Sequence, residues 1–253
     1  MEHPQSDYPI AAISGHSPVQ IVQALRQQIA RLEQARVPSG ETPISCGCEA
    51  LDRLLPERGF RRGTLVEWLA AGVGSGAETL ALSTAREACR EGGTLVVLDY
   101  LREFYPPAAV RLGIAPDAMI VIHALSEADN LWALDQSLRC LGVAAVLAWP
   151  ENLDSHTFRR LQLAAEQGGG LGLLVRSERV QHEPSWADVR LLVEPLSQDS
   201  ASGGWRRLRV QVLRTHGGSR EESIEVEVDD ETRAMCLAPR LAHPTNHRRA
   251  AGS

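Results

Sequence analysis

The chain has 253 residues, 43% of them hydrophobic, and carries 26 basic against 32 acidic side chains, a formal charge of -6. That length and composition accommodate one α/β core with extensions. They argue against wholesale disorder and confine any nucleic-acid surface to a local patch. All 26 basic residues are arginine, so a phosphate-loop lysine, a Schiff base and a lysine general base are excluded together.

In chain order, residues 1–16 hold Pro4, Pro9 and Gly15 without periodicity and read as a loose arm. A helix follows from Ser17 and Pro18, with Val22, Leu25, Ile29 and Leu32 recurring at steps of three and four. Its apolar stripe has two readings, packing on its own domain or docking on another subunit. The stretch "VPSGETP" reads as a linker closing an N-terminal unit of residues 1–43.

From residue 44 short apolar runs alternate with helix-period segments, which predicts βαβ units and a mostly parallel sheet flanked by helices. The expected strands are 64–68, 93–99, 119–124, 144–150, 171–176 and 189–195. The segments 78–92, 106–113, 125–142 and 155–170 between them read as helices. Strict alternation on both sides of Gly217 and Gly218 then predicts a hairpin. Leu208, Val210 and Val212 would face Ile224, Val226 and Val228, while Arg207 and Arg209 meet Glu225 and Glu227 on the other face. The core should end near residue 230, with 231–253 a partly disordered tail.

The stretch "EWLAAGVGSGAETLAL" has the layout of a phosphate-binding loop: strand, glycine turn, helix start. Gly72, Gly74 and Gly76 keep the turn and Thr79 continues into the helix, but Ala77 stands at the lysine place and Glu78 at the hydroxyl place. A carboxylate ~4 Å from a phosphate charge costs on the order of 4 kcal/mol at an effective dielectric near 20. ATP is therefore not expected in the usual mode, and no cofactor is expected at all. A glutamate in the first helical turn faces the positive end of the helix dipole, so Glu78 is expected to stand in for the lost phosphate. The cysteines Cys46, Cys48, Cys89, Cys140 and Cys236 form no CxxC pair, so neither a metal nor a disulfide framework is expected. The N-terminal residues lack a leader pattern, and no run of 18 apolar residues occurs. A cytoplasmic protein without membrane contact is expected.

The order of these features resembles the RecA/RadA recombinase core, on "ISCGCEALDRLLPERGFRRGTLVEW", the glycine loop and "REGGTLVVLDYLREFYPPAAVRLGI". The resemblance implies a RecA-like fold but not its active site. Leu101 stands where that family has its catalytic glutamate, and Trp149 where an aspartate organises Mg²⁺. The segment "SERVQHEPSWAD" stands in place of the second DNA-binding loop and is shorter than it. Within the superfamily, "AVLAWPENLDSHTFRRLQLAAEQGGGLGLLVR", "SWADVRLLVEPL" and "RRLRVQVLRTHGG" resemble the ImuA family.

That resemblance implies a non-catalytic accessory role in damage-induced (SOS) error-prone translesion synthesis. The implied partners are an ImuB-like polymerase homologue and an error-prone DnaE-type polymerase, with RecA or DNA reached indirectly. The alternatives are an ATP-dependent DNA-binding recombinase relative and a cell-division inhibitor like SulA. A protein that works by contact needs exposed anchors. Arg159 and Arg160, at a helix start where they oppose the dipole, and Arg206, Arg207, Arg209 and Arg214 on the hairpin are the candidates for partner or DNA contact. Trp149 reads as a filler of the vacated metal site on a buried strand, and Trp186 and Trp205 as interface candidates.

Overall fold

The computed structural model describes residues 42–196, 205–215, 222–229 and 235–237. The expected N-terminal helix with Val22, Leu25, Ile29 and Leu32, the turn at Gly217 and Gly218, and residues 238–253 lie outside them.

The strands are β1 (Leu65–Ala70), β2 (Thr94–Leu98), β3 (Met119–Ile122), β4 (Val143–Ala148), β5 (Leu171–Ser177), β6 (Val189–Pro195), β7 (Trp205–Arg214), β8 (Glu222–Asp229) and β9 (Met235–Leu237). The helices are α1 (Glu49–Asp52), α2 (Ala77–Cys89), α3 (Pro106–Arg111), α4 (Glu127–Arg139) and α5 (Ser155–Gly168). They build one sheet in the order β3-β2-β4-β5-β1-β6-β7-β8-β9. The strands from β3 to β6 run parallel, and β7, β8 and β9 are added antiparallel.

The apolar runs form central strands because both of their faces are covered. In β2, Leu95 and Val97 feed one core together with α2 (Leu80, Ala81, Ala85), and Val96 and Leu98 feed the other with α4 and α5 (Leu134, Leu138, Phe158, Leu161). β4 divides in the same way, Ala145 and Leu147 against Val146 and Ala148. Such burial on both sides is the signature of a parallel sheet under helical layers. α4 and α5 start where side chains satisfy orphan backbone donors. Ser126 Oγ accepts from the Asp129 amide at 3.1 Å, and Asp154 Oδ1 accepts from the Thr157 amide at 2.7 Å. The bonds from the Thr157 backbone and hydroxyl hold the Asp154 carboxyl below the usual aspartate range. At the other end of α5, a side chain on Gly168 would place its Cβ 1.9 Å from the Leu138 carbonyl oxygen, so only glycine lets α5 pass this close to α4.

The hairpin forms in the expected register, with Arg207 opposite Glu227 and Arg209 opposite Glu225, and Leu208, Val210, Val226 and Val228 buried. Two features differ from the sequence reading. The sheet continues past residue 230, since Met235–Leu237 pairs with β8; three residues are too few to show a period. The fourth strand ends at Ala148, so Trp149 belongs to the turn beyond the strand. Among the described residues no helix is long and apolar enough to cross a membrane, and no cluster of His, Cys, Asp or Glu could hold a metal ion.

Candidate functional site: a nucleotide-type cleft without its cations

β1 leads through residues 71–76 into α2, so the loop sits at the carboxyl ends of the parallel strands, where open α/β sheets bind ligands. Gly72, Gly74 and Gly76 take φ of 87°, 75° and 86°, the left-handed region where glycine is favoured. Gly72 and Gly74 face open space and Val73 between them is fully exposed. Gly76 caps α2, and a Cβ there would lie 2.4 Å from Leu208 Cδ1, so the hairpin packs directly beneath the loop. Ser75 Oγ accepts from the Ala77 amide at 3.3 Å and holds the turn.

Beside the loop lies a cleft of about 790 Å³, lined by residues at the ends of β1, β2, β4 and β5 and by α4. Ala77 is buried at the lysine place and Glu78 is exposed at the hydroxyl place. Leu101, 59% exposed, lines the wall of the cleft. Trp149 is half-buried, tilted on Phe104 with ring centroids 6.1 Å apart, and its indole N–H donates to Glu78 Oε1 at 2.9 Å. Two expectations change here. Trp149 fills the vacated site from the cleft side and not from within a doubly buried strand. Glu78 turns to the indole across the cleft, where the phosphate stand-in required it to turn back on the loop amides. The indole N–H is the donor that the Glu78 carboxylate meets.

Next to this cleft, the sequence reading missed a buried charge network. Glu67 in β1 is fully buried, between Arg176 of β5 and Arg190 of β6. Arg176 Nη1 donates to Glu67 Oε1 at 2.7 Å, and Arg190 Nε donates to Oε2 at 2.5 Å. Ser185 Oγ adds a bond to Oε2 at 3.0 Å. The remaining guanidinium donors reach backbone carbonyls, Arg176 those of Pro150 and Glu151, and Arg190 those of Val180, Gln181 and Glu183. One signal was available in the sequence. Glu67, Arg176 and Arg190 each interrupt an apolar run, and a charge on a strand buried on both faces must find a partner.

Segment 177–188 is thereby fixed over the sheet. Arg214 Nη1 donates to the Ser185 carbonyl at 2.7 Å, and the Trp186 indole donates to Ser155 Oγ at 2.9 Å. Arg159 lies over the Trp186 ring at 5.1 Å and also donates to Gln162. Arg159 and Arg214 thus meet on one segment. Arg160 pairs with Asp135 at 3.4 Å, while Arg207 and Arg209 pair with Glu225 and Glu227 across the hairpin. Arg206, half-buried on β7, belongs to the same strand. The six arginines therefore divide into Arg159 and Arg214 on segment 177–188, Arg160 on Asp135 of α4, and Arg206, Arg207 and Arg209 on β7. Trp205 is half-buried in β7, and Trp186 stays 41% exposed.

Comparison with known proteins agrees with this geometry. "Protein ImuA" of Caulobacter vibrioides, in two strains, is 30% identical over 142 residues, covering 51% of this chain and 58% of that protein. "Protein RecA" of Rhodopirellula baltica is 36% identical over 104 residues, 41% of this chain and 28% of that one. "Cell division inhibitor SulA" of Photorhabdus laumondii is 30% identical over 81 residues, 32% of this chain and 46% of that one. The chain belongs to the RecA-like superfamily and resembles ImuA. The match spans 58% of the length of the ImuA relatives. No family model matches the chain.

Proposed function

We propose that the chain is a non-catalytic accessory protein of damage-induced, error-prone translesion DNA synthesis. It acts by contact with an ImuB-like polymerase homologue and an error-prone DnaE-type polymerase. The likeness to ImuA supports the pathway. One arrangement supports the non-catalytic half: a carboxylate, Glu78, bonded to an indole, Trp149, across the place where Mg²⁺ and phosphate would sit. With no lysine in the chain and Leu101 at the catalytic position, the parts that position metal, water and phosphate are missing.

The test is co-purification with the ImuB-like partner, read by size-exclusion chromatography with light scattering, with and without ATP-Mg²⁺ and single-stranded DNA. A stable complex indifferent to ATP is expected. Assembly on DNA that requires ATP, without a binary complex, would overturn the proposal in favour of a recombinase relative. The SulA likeness supports a second reading as a division inhibitor. Cell filamentation on overexpression, with no polymerase-like partner bound, would favour it.

A further inference from the structure

We propose that the cleft at the carboxyl ends of β1, β2 and β4 is a docking groove for an arginine-bearing, apolar-flanked peptide segment of a partner protein. The inference stands on the cleft itself and does not depend on the pathway proposed above.

Charge is the first argument. Glu78, Glu103, Glu127 and Glu151 line the cleft, and among the described residues none of these carboxylates forms an ion pair. Arg176, one of the two basic residues in the lining, pairs with Glu67, which it shares with Arg190, and lies 3.6 Å from the Glu183 carboxylate; Arg179 is the other. The cleft therefore repels phosphates and attracts a cation.

Apolar chemistry is the second. Of the chain's five tryptophans, three tyrosines and three phenylalanines, Trp149, Tyr100, Tyr105 and Phe104 line this one cleft. Tyr100, Leu101 and Tyr105 are 41%, 59% and 61% exposed, an apolar rim that a solitary globular surface does not need. Aromatic faces beside carboxylates suit a planar guanidinium, which stacks and bonds bidentately, better than a compact ammonium.

A third observation is independent of both. Asn130 of α4 is 6% exposed and lines the cleft, and its buried Oδ1 has no hydrogen-bond partner among the described residues. A buried amide left unpaired costs stability unless a ligand meets it, and a peptide bond supplies both a donor and an acceptor.

The probes are fluorescein-labelled decapeptides of alternating leucine with arginine, lysine, glutamine or glutamate, titrated into the full chain by fluorescence polarisation. The arginine peptide should bind at least tenfold tighter than the glutamine peptide and more tightly than the lysine peptide, and the glutamate peptide should not bind. Glu103→Gln with Glu127→Gln should weaken the arginine peptide at least fivefold. Glu57→Gln with Asp117→Asn removes the same charge from exposed positions outside the cleft and should change it less than twofold. Equal losses in the two double variants would reduce the binding to general attraction by an acidic protein and overturn the groove. So would equal affinity for the arginine and glutamine peptides, or tight binding of a single-stranded oligonucleotide lost in the same cleft variant. The assay contains no polymerase-like partner, so its failure leaves the pathway reading untouched.

Discussion

Two sets of charges sit side by side at the same edge of the sheet and behave in opposite ways. Glu67, Arg176 and Arg190 are withdrawn from water and bonded to one another and to backbone carbonyls. Glu78, Glu103, Glu127 and Glu151 stand in an open cleft, where the bond recorded for any of their carboxylates is the one from Trp149 to Glu78. Burial converts a charge into architecture, because a desolvated ion tolerates one arrangement of partners and fixes the chain that supplies them. Exposure leaves a charge available for a ligand. The first set pins segment 177–188, and the second shapes what the neighbouring cleft accepts.

The largest expected effect breaks the buried set. Glu67→Ala leaves two guanidinium groups without their carboxylate and should cost about 3–5 kcal/mol, the usual range for removing one partner of a buried pair. Urea unfolding monitored by tryptophan fluorescence measures it, and a loss below ~1 kcal/mol would show that water reaches Arg176 and Arg190 and that the contrast is unreal. A middle-sized effect tests the hinge between the regions. Gly76→Ala asks an L-residue to hold a φ of 86° and to displace Leu208, and should cost about 1–3 kcal/mol. The same change at Gly72, where nothing lies within 4 Å, carries only the backbone part.

The parallel sheet was legible because its central strands are apolar runs, β2, β4 and β6 of them closed by aspartate or proline. Burial on both faces favours that composition and makes each exception, Glu67, Arg176 and Arg190, depend on a partner. The loop was legible too, since Gly72, Gly74 and Gly76 stand between the end of β1 and the start of α2 and take the left-handed φ that the turn needs. What joins those positions was not legible. Glu67 meets Arg176 and Arg190 over separations of 109 and 123 residues, and Glu78 meets Trp149 over 71. The strand order β5-β1-β6, which a linear pattern does not encode, creates the first of these meetings. The exposed look of Arg159 was misread for the same reason, because Trp186 comes to it from another loop.

The smallest expected effect lies in the open set and sharpens the contrast from the other side. Trp149→Phe keeps an aromatic ring against Phe104 but removes the donor to Glu78. Glu78 is exposed and water replaces the lost partner, so the change should cost only about 0.5–1 kcal/mol, several-fold less than Glu67→Ala. Nor should it open the cleft to nucleotide, since the freed carboxylate still repels phosphate and no cation has been added. Thermal unfolding and ATP titration by calorimetry on the same variant read both consequences. A loss comparable to that of Glu67→Ala would mean that the Trp149–Glu78 bond is structural. Glu78 would then belong to the framework, and Glu103, Glu127 and Glu151 would be the carboxylates left open to a partner.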